Sequence, residues 1–120
     1  MARLLMDIRK AWCRETAHPS YRNKWTEDNP SAGQCLVTAL IVQEQFGGDI
    51  YSCKVGNCSH FVNIIDERII DKTAEQFGGT DKIKYLVGSF RLRTRESLLK
   101  SKDVKERYNL LKARLNELST

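Results

Sequence analysis

The run CLVTALIVQEQF, residues 35–46, constrains the fold more than any other part of the chain. Leu36, Val37, Ala39, Leu40, Ile41, Val42 and Phe46 leave no polar face wide enough for a surface helix, so a helix here must be buried on nearly all sides. Pro30 precedes it, and Gly47 and Gly48 follow with the freedom at positive φ that suits a helix C-terminus. The predicted span is about residues 33–46. With 120 residues, 41% of them hydrophobic, the chain fits one domain with one modest core, and its other elements must be layers around this helix.

Those layers can be read in order. Leu4, Leu5, Ile8, Ala11 and Trp12 recur at helical spacing, which predicts a first helix from Leu4 to about Ala17, before Pro19. Residues 18–30 are polar and rich in turn formers, and read as a loop with Trp25 as its anchor. Beyond the glycines, residues 49–55 and 59–65 have the β-branched and aromatic content of strands. Asp66-Glu67 reads as a hairpin turn into a strand at Arg68 to Asp71, which gives an antiparallel sheet against the central helix. The loop TAEQFGGTDKIKY leads to a possible last strand, Tyr85 to Leu92. From Arg95 on, Leu98, Val104, Tyr108, Leu111, Leu115 and Leu118 form an apolar stripe opposite a charged face, so the core at 11–92 is followed by an amphipathic helix at about 94–118. That stripe packs on the domain or on a second copy, which would make a homodimer.

Composition narrows the functional classes. The first residues lack the h-region and cleavage site of a signal peptide, and no apolar run reaches membrane-spanning length, so a soluble, cytoplasmic protein without membrane contact is expected. In that compartment Cys13, Cys35, Cys53 and Cys58 are expected as free thiols. The net charge of +5 comes wholly from residues 91–120, with nine basic and four acidic side chains, whereas residues 1–90 balance at eleven each. This basic segment interleaves Glu96, Asp103 and Glu106 as an ordinary solvated helix does, so nucleic acid is not the expected partner. The pairs Gly47-Gly48 and Gly78-Gly79 lack the context of a phosphate loop and read as turns.

Chemistry concentrates around Cys35. A cysteine at a helix N-terminus has unpaired N–H groups and the helix dipole beside it, which favour thiolate. A thiol hydrolase also needs a base, most often histidine, and a third group to orient the imidazole. Only two histidines are present, and His60, unlike His18, begins a strand predicted to cover the central helix. Asp71, 11 residues on and across a hairpin, can reach His60 from the neighbouring strand. Asn63, three residues from His60, should face the other way because strand side chains alternate. For the oxyanion, the Cys35 N–H has either the Asn29 or the Gln34 amide as a partner, and the sequence does not choose. Trp12, Trp25 and Asn63 are candidates for the cleft wall. Cys53, Cys58 and His60 form C-x4-C-x-H, which lacks the tight knuckle of a structural zinc site, so neither metal nor cofactor is expected.

NPSAGQCLVTALIVQEQFGGDI, then HFVN, then IIDKTAEQF, with AWCRET and Trp25 upstream, resembles the YunG-like family of small bacterial proteins over residues 11–77. The resemblance implies an α+β, minimal papain-like or transglutaminase-like fold, in which a helix opening with the nucleophile packs on an antiparallel sheet. Carried onto this chain, it implies Cys35 as nucleophile, His60 as base and Asp71 as orienting carboxylate. Phe61-Val62 stands where the family tends to have Tyr-Trp, and Lys72 where it has Leu. The expectation is therefore a cysteine hydrolase or acyl transferase acting on a peptide, a protein or a small amide or ester. The alternative is a non-enzymatic module on the same fold, with a partner at its C-terminal helix.

Overall fold

The computed structural model describes residues 1–77 and 84–118, and it is α+β, with a small antiparallel sheet and helices. Helix α2, Cys35–Phe46, lies at the centre, and Val37, Thr38, Ala39, Leu40, Ile41 and Val42 are all buried in succession. Six consecutive buried residues span every face of a helix, as the apolar run requires. Helix α1, Ala2–Ala11, contributes Ile8 and Ala11 to the core. Helix α4, Lys102–Leu118, packs against both α1 and α2 and buries Val104, Arg107, Tyr108 and Leu111. Of the C-terminal stripe, Val104, Tyr108 and Leu111 thus lie in the core of this chain, Leu98 and Leu115 pack against it, and Leu118 is exposed.

Strands β1 (Asp49–Val55), β2 (Cys58–Ile65), β3 (Arg68–Ile70) and β4 (Arg91–Arg93) form one antiparallel sheet in the order β3-β2-β1-β4. Strand β2 lies against α2. The β2–β3 hairpin closes through Asp66 (φ 51°) and Glu67 (φ 67°). Positive φ at both central residues is the requirement of a two-residue I′ turn, met here without the usual glycine. At the α2–β1 connection, Gly48 has φ +76°, and a Cβ there would come within 2.7 Å of the Ile64 carbonyl oxygen. Only glycine lets this turn pass so close to β2.

Three expected boundaries move. The first helix ends at Ala11 rather than Ala17, because the Cys13 N–H bonds the Thr16 hydroxyl and diverts the backbone into a 3-10 turn at Arg14–Thr16. The last strand shrinks from 85–92 to Arg91–Arg93, with an isolated bridge from Tyr85 to Val55, since a turn at Val87-Gly88 interrupts it. The helix expected over 94–118 is two: α3, Arg95–Leu98, capped by Thr94, and α4, whose start is capped by the Ser101 hydroxyl accepting from the Val104 N–H at 3.2 Å. The turn expected at Gly78-Gly79 lies outside the described residues. No described helix is long and apolar enough to cross a membrane.

Candidate active site

The approach to α2 depends on Gly33. Its φ is +71°, a Cβ there would lie 2.8 Å from Tyr21 Cβ, and its carbonyl accepts from the His18 N–H at 2.9 Å. The glycine therefore lets the 3-10 segment Pro19–Lys24 close over the start of α2. The first intrahelical bond runs from the Thr38 N–H to the Gln34 carbonyl, so the N–H groups of Cys35, Leu36 and Val37 emerge at the helix end. They carry the positive end of the helix dipole to the position of the Cys35 thiol.

His60 lies on β2 opposite Cys53, and Asp71 immediately follows β3. Their side chains are only 1% and 2% exposed, and His60 Nε2 meets Asp71 Oδ2 at 2.8 Å. The same carboxylate accepts from the Tyr85 hydroxyl at 2.7 Å and from the Thr73 hydroxyl at 3.3 Å. Burial by itself disfavours the His60 imidazolium. The hydrogen bond to Asp71 and the hydrogen-bonding proximity of Cys35 outweigh it and raise the pKa from 6.5 to about 9. With Nε2 engaged by Asp71, Nδ1 is the ring nitrogen left for the thiol. Burial, then Asp71, push the Tyr85 phenol up, so it remains a neutral donor. Burial, then the charges of Asp71 and Cys35, push the Cys53 thiol up to about 11, which keeps it protonated and unreactive.

Cys35 and His60 line a cleft of about 210 Å³ with Tyr21, Leu36, Phe61 and Arg107 among its walls. Phe61, one of the two departures in the HFVN segment, is thus a wall residue. The structure brings Cys35, His60 and Asp71 together and places the other candidates elsewhere. The Gln34 amide donates to the Cys13 carbonyl at 2.9 Å and accepts from the Thr16 hydroxyl at 2.8 Å, a closed buried arrangement turned away from the cleft. Asn29 sits in a bridge with Thr26 and does not line the cleft. Trp12 is core, its indole N–H donating to the Thr38 hydroxyl at 2.9 Å. Trp25 donates to the Pro30 carbonyl and, with Trp12, lines a separate hollow. Asn63, opposite Ile50 rather than Cys53 in register, ties β2 to α2 through the Ala39 carbonyl at 2.9 Å.

Sequence reasoning missed Tyr21, Tyr85 and Arg107, and weighed Cys58 only as a zinc ligand. For Arg107 a signal existed: it stands between Val104 and Leu111 on the apolar stripe, where an arginine has no reason to be unless it is buried for a purpose. Cys58 lies 3.9 Å from the Tyr21 hydroxyl on the cleft wall. Among the described residues no group of three or more His, Cys, Asp or Glu side chains is arranged to hold a metal.

Fold and site together define an α+β protein in which a central helix opens with a cysteine beside a buried histidine–aspartate pair. The chain belongs to the YunG family: the family model described as "YunG protein" matches residues 1–119. It is 38% identical over 82 residues to the uncharacterized protein YunG of Bacillus subtilis (strain 168), covering 68% of this chain and 67% of that one. No solved structure matches.

Proposed function

We propose that the protein is a thiol hydrolase or acyl transferase of papain-like type, acting on an amide or ester through Cys35, His60 and Asp71. The observation that carries this reading is the position of His60, bonded to Asp71 through Nε2 and lining one cleft with the Cys35 thiol, which helps to raise its pKa. An imidazole held above its ordinary pKa carries a proton at neutral pH, which suits it to pair with a thiolate and then act as general acid. The Cys35 sulfur attacks the carbonyl carbon, and its oxygen takes up the charge facing the Cys35 N–H. Collapse breaks the C–N or C–O bond as His60 gives its proton to the leaving group. Water, deprotonated by His60, then attacks the thioester and releases the acid and the thiolate; an amine in its place gives transfer.

The test is acyl-enzyme trapping. Mixing with p-nitrophenyl acetate and quenching in acid should add one acetyl group to Cys35, seen by peptide mass spectrometry, and Cys35→Ala should take up none at the site. Acetylation distributed over lysines and all four cysteines, and unchanged in Cys35→Ala, would remove the nucleophile from the account.

A further inference from the structure

Arg107, from α4, is one wall of the Cys35 cleft. Its side chain is 3% exposed, yet its ion-pair partner Asp103, which accepts from Nε at 2.9 Å, is 44% exposed. A second bond runs from Nη1 to the Thr16 carbonyl at 3.4 Å. A guanidinium has five N–H donors, and among the described residues these are the two it uses. A buried cation whose counter-charge sits partly in solvent, with donors to spare on a cleft, is a poor structural choice but a good receiver for an anion. The planar fork fits a carboxylate in particular.

The rest of the cleft agrees. No acidic residue is among its walls, and Leu36, Phe61 and Tyr21 are apolar or aromatic. His18 lines it too, and its Nδ1 accepts from the Ser20 N–H at 3.0 Å, which leaves the ring proton on Nε2 as a further donor. Burial, then the nearby Arg107 charge, lower the His18 pKa and keep the ring neutral, so Arg107 supplies the fixed charge on that wall. The volume of about 210 Å³ falls below the roughly 300–1,000 Å³ of sites for drug-sized ligands. A substrate group the size of one residue fills it.

We propose that Arg107 determines specificity at this site, binding the carboxylate of a small amide or ester substrate, an amino-acid or dipeptide conjugate, within one residue of the bond at Cys35. This rests on Cys35 being the nucleophile, and the experiment separates the two ideas. N-bromoacetylglycine and N-bromoacetylglycinamide alkylate a thiolate by the same displacement of bromide and differ only in carboxylate against amide. Their rates at Cys35, each divided by the rate with N-acetylcysteine, give an anion preference.

The expected preference is about tenfold for the carboxylate, the size of a charge-assisted hydrogen bond in a cleft. It should fall to near unity in Arg107→Gln and decline with added salt. Asp103→Asn, which removes the competing carboxylate at a half-exposed position, should raise it. Should Arg107→Gln fail to fold, Asp103→Asn decides alone: a higher preference supports the assignment, and an unchanged one overturns it. A fast neutral probe with no anion preference would overturn the role of Arg107 and leave the nucleophile standing. If the neutral probe reacts no faster at Cys35 than with N-acetylcysteine, the nucleophile itself fails.

Discussion

Two polar clusters meet at the start of α2, and both are buried. One is Gln34 with Thr16 and the Cys13 backbone; the other is His60 with Asp71 and Tyr85. In the first, a neutral amide closes a ring of hydrogen bonds with backbone and hydroxyl groups, and nothing in it titrates near neutrality. In the second, the partners are an acid and a base, and the base reaches a thiol on an open cleft. Burial alone therefore does not mark a site. What separates the two is whether the buried groups exchange protons and whether they face a space that a substrate can enter.

The largest expected effect breaks that contrast from the side of the ionisable cluster. His60→Ala should slow acylation of Cys35 by about a hundredfold, the scale of a lost general acid–base, read by stopped-flow release of p-nitrophenol. Asp71→Asn should also slow it, since the imidazole loses its orienting carboxylate but keeps its place beside the thiol. In that variant the His60 pKa should fall from about 9, which NMR titration of the ring proton would follow.

Gln34→Ala tests the other side. It leaves the Cys13 carbonyl and the Thr16 hydroxyl without their buried partner, and should destabilise the fold by about 1–3 kcal/mol in urea unfolding. Cys35 reactivity per folded molecule should stay within about twofold. A reactivity loss as large as that of Asp71→Asn would make the two clusters one.

A smaller effect sharpens the comparison through pH. The folded His60 pKa, about 9, lies above the ordinary 6.5, so the folded state binds this proton more tightly than the unfolded chain. Its contribution to stability is fully present below about 6.5 and is lost as pH rises through about 9. Chemical denaturation should show stability falling across that window, and the fall should flatten in Asp71→Asn. Tyr85→Phe should have the least effect, about 1 kcal/mol for one half-buried hydrogen bond, measured in the same denaturation series.

Much of this was legible beforehand because it rests on pattern. The unbroken apolar run fixed α2, and β-branched content with the Asp66-Glu67 turn marked β1, β2 and β3 nearly to the residue. Asp71 meets His60 across the hairpin, whereas Asn63, expected to face away from the helix, turns toward α2 and donates to the Ala39 carbonyl. What escaped depends on contacts distant in sequence. Tyr85 reaches Asp71 across 14 residues, and Arg107 reaches the Thr16 carbonyl across 91, so neither follows from local spacing. Gln34 was open to misreading because its neighbour in sequence is Cys35, while its partners lie at Cys13 and Thr16. The break between α3 and α4 came from a serine cap that the apolar stripe does not register.

The most direct test of the central claim is the rate of iodoacetamide alkylation at each cysteine as a function of pH, in the wild type and in His60→Ala. Cys35 should react faster than the other three cysteines, and Cys53, whose thiol burial pushes up to about 11, should be the slowest. The His60→Ala substitution should remove that reactivity. If Cys35 reacts no faster than Cys13 and Cys58, or equally fast without His60, the pairing of thiol and imidazole is contradicted.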